Sequence, residues 1–188
     1  MNKLIIVLIV ASSLFLSCAK KSEISKDFNC KTVNFKNLEE IKDVKNLFSV
    51  EIPKNWKTNL YYDDSQSSIY TADTTKQLTE TLLLDITNIS KNINFNASFK
   101  LKQEQESLSK KLIQVKSKET TIFNKPSYYT ISKGKKRGYE YQVCHFYIKK
   151  NEQNFMLAKA EIYGDSIVNE RLCNAFTLIE KIKLSNIK

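Results

Sequence analysis

The sequence predicts an α+β domain in which a largely antiparallel sheet is flanked by helices. Several short segments alternate apolar with polar residues, as strands with one covered face do. Two other segments place apolar residues at spacings of three and four, the pattern of amphipathic helices. The order is strands, helix, strands, helix, which favours a layered α+β architecture. With 188 residues, 41% of them hydrophobic, the chain can bury one ordinary core, and three glycines and two prolines exclude collagen-like or extended disordered architectures.

The amino terminus has the pattern of an export signal. A lysine precedes an apolar run over residues 4–16, which is too short to cross a bilayer stably. Residues 14–18, LFLSC, resemble a bacterial lipoprotein signal, in which a small residue precedes a cysteine that is lipidated before cleavage. The resemblance implies that residues 1–17 are removed and that acyl chains on Cys18 anchor the protein, with a free secreted protein as the alternative. Ala19 favours the outer membrane and leaves open which face the protein occupies.

The first strands follow a polar amino-terminal segment. Residues 18–45 are predicted to be the lipidated cysteine, a tether and an amino-terminal arm, because residues 19–27 have no periodic apolar pattern. Residues 48–52 alternate as a half-buried strand, which Pro53 closes because proline lacks a backbone donor. Three further strands are predicted over residues 56–62, 68–72 and 81–89. The last of these is apolar on both faces and is therefore predicted to be central.

The second half predicts a helix, four strands and a final helix. Asn96 or Ser98 can cap the first helix, which runs to about Ile113. Its predicted apolar stripe is Leu101, Leu108, Leu112 and Val115. The four strands are predicted over residues 115–123, 127–132, 139–149 and 155–163. Asp165 or Ser166 is predicted to cap the final helix. Its apolar stripe is Val168, Leu172, Ala175, Phe176, Ile179 and Ile182.

Residues 48–56, FSVEIPKNW, resemble the opening of the PsbP-like superfamily. That group includes a photosystem-associated subunit, a Ran-binding nuclear import factor and many bacterial lipoproteins. Its members share an opening strand that ends in proline and is followed by tryptophan, a mid-chain helix, a run of antiparallel strands and a terminal amphipathic helix. The resemblance implies a PsbP-like α/β/α sandwich over residues 46–188, with docking or assembly roles rather than chemistry. We expect Trp56 to fold back over the sheet as a core residue.

Three cysteines remain after Cys18 is assigned to lipid. An envelope-exposed chain permits one disulfide among them, with three possible pairings. We favour Cys30 with Cys173, because both lie near the ends of the domain and the bridge would tie the amino-terminal arm to the last helix. Cys144 is most simply a small apolar core residue.

No set of residues predicts catalysis or a cofactor. His145 is the only histidine, so a hydrolase would depend on it as its single base. The adjacent Cys144 should point to the opposite face of the strand, so the two side chains should not share a metal ion. We therefore expect no enzyme activity, no metal and no cofactor, with a hydrolase that uses His145 as the remote alternative.

Two groups of side chains are candidates for contacts with other molecules. Lys133, Lys135, Lys136 and Arg137 form the sharpest local charge cluster and lie between two glycines. A solvated hairpin tip is predicted for them, with contact to an anion or a lipid headgroup as the alternative. Tyrosines on the predicted strands are candidates for a ligand groove, namely Tyr128, Tyr129, Tyr139, Tyr141 and Tyr147.

Charge and composition argue against a nucleic-acid partner. The formal net charge is +10, yet only two of the 30 basic residues are arginine, the residue that phosphate and base recognition favours. We expect a membrane-anchored envelope lipoprotein that acts as a non-enzymatic accessory or partner-binding module, with an envelope protein as its partner. The alternative is a binder of a small amphipathic or anionic ligand, a lipid or glycan, through the tyrosine-rich sheet face.

Overall fold

The computed structural model of the protein describes residues 22–185. The predicted signal peptide, residues 1–17, and Cys18 lie outside the described residues and stay predictions. Within residues 22–185 the structure has three helices and two antiparallel sheets, which confirms the predicted α+β class. None of the helices in this range is long and apolar enough to cross a bilayer.

Between residues 48 and 179 the elements follow the predicted order of strands, helix, strands and helix. The helices are α1 (Glu23–Asp27), α2 (Ala97–Ser109) and α3 (Val168–Ile179). The first five strands are β1 (Leu38–Lys42), β2 (Phe48–Pro53), β3 (Lys57–Tyr62), β4 (Gln66–Ala72) and β5 (Leu83–Ile89). The other five are β6 (Leu112–Ile122), β7 (Lys125–Lys136), β8 (Tyr139–Lys149), β9 (Phe155–Tyr163) and β10 (Lys183–Leu184).

The strands form one large and one small sheet. The large sheet has seven strands within the described range, in the order β3-β4-β5-β9-β8-β7-β6. The small sheet has the order β1-β2-β10. In both sheets neighbouring strands are antiparallel. β9 is the middle strand of the large sheet, so β5, which was predicted to be central, is interior and lies beside it.

The main core lies between one face of the large sheet and a layer made of α3 and the small sheet. The predicted stripe of α3 packs into this core, with Leu172, Phe176 and Ile179 almost completely buried. Each such side chain contributes about 1.5–3 kcal/mol when it leaves water. β2 is buried over most of its length rather than half-buried, because it is the middle strand of the small sheet. Trp56 packs against the same core, with the Phe35 ring edge-on at 6.2 Å.

The amino-terminal segment is more ordered than the predicted tether. Helix α1 forms inside it because Ser22 accepts a hydrogen bond from the backbone N–H of Ser25 at 3.1 Å and Ile24 is buried. A five-residue helix is too short for apolar periodicity to show in the sequence. Cys30 and Cys173 are joined by a disulfide, with Cα atoms 5.4 Å apart, and this is the pair favoured from the sequence. β1 pairs with β2, so packed structure begins well before residue 46.

Helix α3 begins differently from the prediction. Neither Asp165 nor Ser166 caps it; the residue before the helix is Ile167, in a left-handed conformation with φ 42° and no side-chain cap. The buried guanidinium of Arg171 instead binds the backbone near this end of the helix. It donates to the backbone carbonyl oxygens of Thr81, Tyr163, Gly164 and Ser166.

Candidate functional site

Helix α2 lies on the other face of the large sheet, opposite the main core. Asn96 caps it by accepting a hydrogen bond from the backbone N–H of Phe99 at 2.9 Å. The Phe99 ring packs on Tyr128 and Tyr147, at centroid distances of 5.8 and 5.2 Å, within a small apolar cluster. A second small apolar cluster lies beyond the other end of the helix. It contains Leu112, Tyr141, Val143 and Tyr163.

Beyond Phe99, the face that α2 turns to the sheet is polar, which corrects the predicted apolar stripe. Leu101 and Leu108 are 54% and 56% exposed. Gln103 and Ser107 face the sheet instead, one and two turns beyond Phe99. Gln103 accepts a hydrogen bond from the Tyr147 hydroxyl, and the hydroxyls of Ser107 and Ser132 lie 3.0 Å apart. The helix presents these residues because the strands beneath it present polar groups.

A cavity of about 340 Å³ lies between α2 and the sheet, between the two apolar clusters. Helix α2 contributes its roof through Gln103, Glu106, Ser107 and Lys110. The strands contribute a polar floor with Thr130, Lys136, His145, Lys159 and Glu161. Leu112, Tyr141, Val143 and Tyr147 complete the walls. The size is at the lower end of the range of about 300–1,000 Å³ that small-molecule sites occupy.

The floor of the cavity contains a row of polar residues that crosses four strands. Thr130 of β7 lies opposite His145 of β8, which lies opposite Lys159 of β9. Lys159 lies opposite Asp85 of β5, and its ammonium is 3.3 Å from the Asp85 carboxylate. Side chains that oppose each other in this way have Cβ atoms about 5 Å apart, so the row is continuous.

Glu161 is the most strongly bound charge in the cavity. Its carboxylate accepts hydrogen bonds from the Lys136 ammonium at 2.8 Å and the Tyr141 hydroxyl at 2.7 Å, and it pairs with Lys159 at 3.0 Å. Burial opposes ionisation of this carboxyl group, but these donors prevail and lower the pKa of Glu161 to about 2. Burial, followed by the hydrogen bond to this carboxylate, raises the pKa of Tyr141. The group is therefore a carboxylate at neutral pH.

His145 presents a neutral imidazole to the cavity. Burial lowers its pKa to about 4, and the positive charges of Lys110 and Lys159 act in the same direction. The imidazole makes no hydrogen bond to any side chain or backbone group of residues 22–185. Its nearest aromatic neighbour is Tyr147, with ring centroids 6.1 Å apart.

The arrangement around His145 is suited to binding and lacks the parts of a nucleophilic site. Within residues 22–185 no hydroxyl, thiol or carboxylate is hydrogen-bonded to the imidazole, whereas a catalytic triad needs both a nucleophile and an orienting acid. Cys144 points into the main core, where burial raises the pKa of its thiol. The described part of the chain also contains no group of three metal-ligating side chains.

The predicted basic cluster is divided between the two faces of β7. Pairing of β7 with β8 continues to Lys136, so the hairpin turn contains only Arg137 and Gly138 and is shorter than predicted. Lys135 pairs with Glu140 at 3.4 Å, whereas Lys136 lies on the cavity side. Lys133 and Lys135 alternate with Lys136, so the cluster Lys133, Lys135, Lys136 and Arg137 does not form one contact surface.

The five candidate tyrosines do not line a common groove. Tyr141 and Tyr147 line the cavity, and Tyr128 lies in the apolar cluster beside it. Tyr129 points into the main core and donates to the Asp27 carboxylate at 3.1 Å. Tyr139 is exposed near the hairpin turn.

Three charged residues of the cavity were not predicted from the sequence, namely Lys110, Lys159 and Glu161. A signal for two of them exists, because Lys159 and Glu161 interrupt the otherwise apolar run of β9 at a spacing of two, which places both charges on one face of a central strand. No such signal marks Lys110, which reaches the cavity only because α2 ends there.

The structure is thus an α+β module with a cavity between α2 and the large sheet. No protein-family model matches the sequence, and no curated protein matches it. Solved structures do match the fold. Cyanobacterial PsbP (CyanoP) from Synechocystis aligns with TM-score 0.55 and 9% identity, over 83% of this chain and 97% of that protein. The protein Mog1, solved as a mutant, aligns with TM-score 0.50 and 7% identity, over 79% of this chain and 96% of Mog1.

A crystal structure from Bacteroides thetaiotaomicron also aligns, with TM-score 0.52 and 10% identity. The match covers 80% of this chain, which spans half the length of that protein. The chain therefore has the PsbP-like/Mog1 fold, which confirms the fold expected from the FSVEIPKNW segment. At these identities the fold alone is shared, and fold does not determine function.

Proposed function

We propose that the protein is a lipid-anchored module of the bacterial envelope that binds a partner protein and performs no chemistry. The observation that carries the proposal is the PsbP-like fold, whose resemblance implies docking and assembly roles. It is joined by the resemblance of residues 14–18 to a lipoprotein signal. Acylation of Cys18 would hold the module at the outer membrane, since two or three acyl chains exceed the single chain that binds only marginally.

The two edges of the large sheet differ in a way that supports a docking surface. The β6 edge is covered by the amino-terminal segment, where Lys118 pairs with Asp27 at 2.8 Å and Thr120 donates to Glu23 at 2.9 Å. At the β3 edge no element of residues 22–185 pairs with the outer side of the strand. Its apolar side chains are Leu60, Tyr61 and Tyr62, which are 42%, 57% and 65% exposed.

An extended segment of an envelope protein is the partner that fits the β3 edge. An unpaired strand edge offers backbone donors and acceptors to another strand, and exposed aromatic rings beside it add apolar contact. Lysine side chains on an edge strand, such as Lys116 and Lys118 of β6, usually hinder pairing with another strand. Strand β3 has no lysine along Leu60–Tyr62.

The test is co-purification of the natively lipidated protein in mild detergent. We expect a stoichiometric envelope protein with the wild type and with Tyr139→Lys, which changes an exposed tyrosine away from the β3 edge. Tyr62→Lys should lose the partner. Repeated recovery of the protein alone would contradict the proposed binding of a partner protein. Intact mass should show acylation at Cys18, and an unmodified amino terminus would contradict the anchor.

A second candidate function is binding of a small amphipathic or anionic ligand. The cavity beneath α2 supports it, because neutral His145 and the Lys110 ammonium line the same space of about 340 Å³. The tyrosine-rich face supports it less, since only Tyr141 and Tyr147 reach the cavity. Native mass spectrometry of protein purified from its own host tests this function. A retained ligand mass supports it, and a bare protein mass contradicts it.

A further inference from the structure

We propose that the cavity beneath α2 binds a small organic anion with an aromatic or other apolar body, whose acid group contacts Lys110, His145 and Thr130. The inference rests on the second candidate function and specifies its ligand. A carboxylate or sulfonate on a single ring is the size and chemistry that the cavity fits.

The charges around the cavity leave one cation without a partner. Glu161 is neutralised by Lys136 and Lys159, and Lys159 also pairs with Asp85. Glu106, at the rim, lies 3.8 Å from the ammonium of Lys102. Lys110 makes no ion pair with any acid of residues 22–185, although it lines the cavity. The remaining charge that faces the cavity is therefore positive.

Two uncharged polar groups lie on the floor without a hydrogen bond. His145 and Thr130 oppose each other on β8 and β7, and neither side chain is hydrogen-bonded within the described part of the chain. Thr130 is almost completely buried, and it lines the cavity. An acid group between them and Lys110 would accept hydrogen bonds from all three.

The side chains of the cavity walls indicate the chemistry of the rest of the ligand. Leu112, Tyr141, Val143 and Tyr147 line the cavity, so the body of the ligand meets apolar and aromatic surface. A volume of 340 Å³ accommodates a ring with short substituents and excludes a long acyl chain. This separates the proposed ligand from a membrane lipid.

Binding of an anion should be coupled to proton uptake by His145. The groups that face this imidazole are Glu106 and Lys110 from α2, Lys136 from β7, Tyr141 and Tyr147 from β8, and Lys159 and Glu161 from β9. A bound acid group adds a negative charge beside the ring and therefore raises its pKa from about 4. The complex then binds more protons than the free protein, so affinity should rise as the pH falls from 6.5 to 4.5.

The test uses 4-methylbenzenesulfonate, which stays ionised over this pH range, and the neutral 4-methylbenzenesulfonamide of similar shape. The protein is the natively lipidated chain in mild detergent. Affinity is measured by titration calorimetry, and the ring signals of the single histidine are followed by NMR. We expect the sulfonate to shift the His145 signals, to raise the His145 pKa and to bind about tenfold more tightly at pH 4.5 than at pH 6.5. The sulfonamide should bind much more weakly.

Two substitutions separate the cavity from the general positive charge of the surface. Lys110→Gln should weaken sulfonate binding about tenfold, the effect of one lost charge-assisted contact. Lys133→Gln makes the same charge change on the opposite face of β7 and should change affinity less than twofold.

Four results would overturn the inference. Equal binding of sulfonate and sulfonamide would exclude an anion site while leaving ligand binding intact. Equal effects of the two lysine substitutions would assign the binding to surface charge. A host ligand retained in native mass spectra, with no response of His145 to the sulfonate, would exclude this ligand class but support the second candidate function. A bare mass and no binding of either probe would contradict both.

Discussion

Replacing Arg171 with methionine is expected to lower the free energy of unfolding by about 3–5 kcal/mol. Arg171 is 2% exposed and donates to four backbone carbonyl oxygens. Its Nη1 reaches Tyr163 at 2.8 Å and Thr81 at 3.1 Å. Its Nη2 reaches Ser166 at 2.6 Å and Gly164 at 3.3 Å. One side chain thus joins the end of β9, the loop before β5 and the start of α3.

The magnitude follows from these four bonds. The two shorter bonds, from a charged donor, contribute about 1.5 kcal/mol each, and the two longer ones about 0.5 kcal/mol each. The buried Nε of Arg171 has no partner among the described residues, which offsets a small part of that sum. Methionine fills most of the space that the arginine stem occupied, so the loss is chiefly that of the hydrogen bonds.

The assay is equilibrium unfolding in urea without reductant, followed by the fluorescence of the single tryptophan. Arg137→Met is the matched control, because Arg137 is the other arginine and lies exposed in the turn after β7. It should change the free energy of unfolding by less than about 0.5 kcal/mol. Arg171→Lys should recover part of the loss, since an ammonium reaches fewer of the carbonyls. A loss below about 1 kcal/mol in Arg171→Met, with an unchanged m-value, would refute the reasoning.

Three further predictions can be checked by the same unfolding measurement, with reductant added only for the first. Reduction of the Cys30–Cys173 bridge, which closes a separation of 143 residues, should cost about 4–5 kcal/mol in the chain-entropy account, and three free thiols in the unreduced lipidated protein would contradict the bridge. Gly134→Ala should lower the free energy of unfolding by about 1–3 kcal/mol, because a Cβ there would stand 2.7 Å from the backbone oxygen of Lys111. An unchanged midpoint would show that the backbone at Lys111 moves aside at little cost in free energy. Burial lowers the pKa of His145 from 6.5 to about 4, so the unfolded chain binds more protons and stability should fall as the pH drops from about 6.5 to about 4. His145→Gln should remove that part of the decline, and an unaltered pH profile would show that the imidazole is not desolvated in solution.

Elements that pack against the main core could be predicted from the sequence. The stripe of α3 is recognisable because every member, from Leu172 to Ile182, meets the same apolar surface. The strands around Phe48 and Ile86 are recognisable for the same reason. In these elements local periodicity and tertiary burial agree, so one pattern predicts both.

Helix α2 shows where that agreement fails. Leu101 and Leu108 suggest a buried stripe, yet both are exposed, because the sheet face beneath α2 carries Thr130, His145 and Lys159. The helix lies with Gln103 towards those polar groups and its leucines towards solvent. Helical periodicity predicts which residues share a face, but the surface that the helix meets decides which face is buried.

The order and type of the elements between residues 48 and 179 and the PsbP-like fold were within reach of the sequence, because they depend on short-range spacing and on residue type. The cysteine pair was within reach because both residues lie near the ends of the domain. The cavity was not. Lys110 follows the end of α2, whereas His145 and Lys159 lie on the paired strands β8 and β9. Only the strand register and the position of α2 bring the three to one cavity. The same register divides the basic cluster between two faces of β7. Burial then makes His145 neutral, and burial is a property of the assembled structure rather than of any segment.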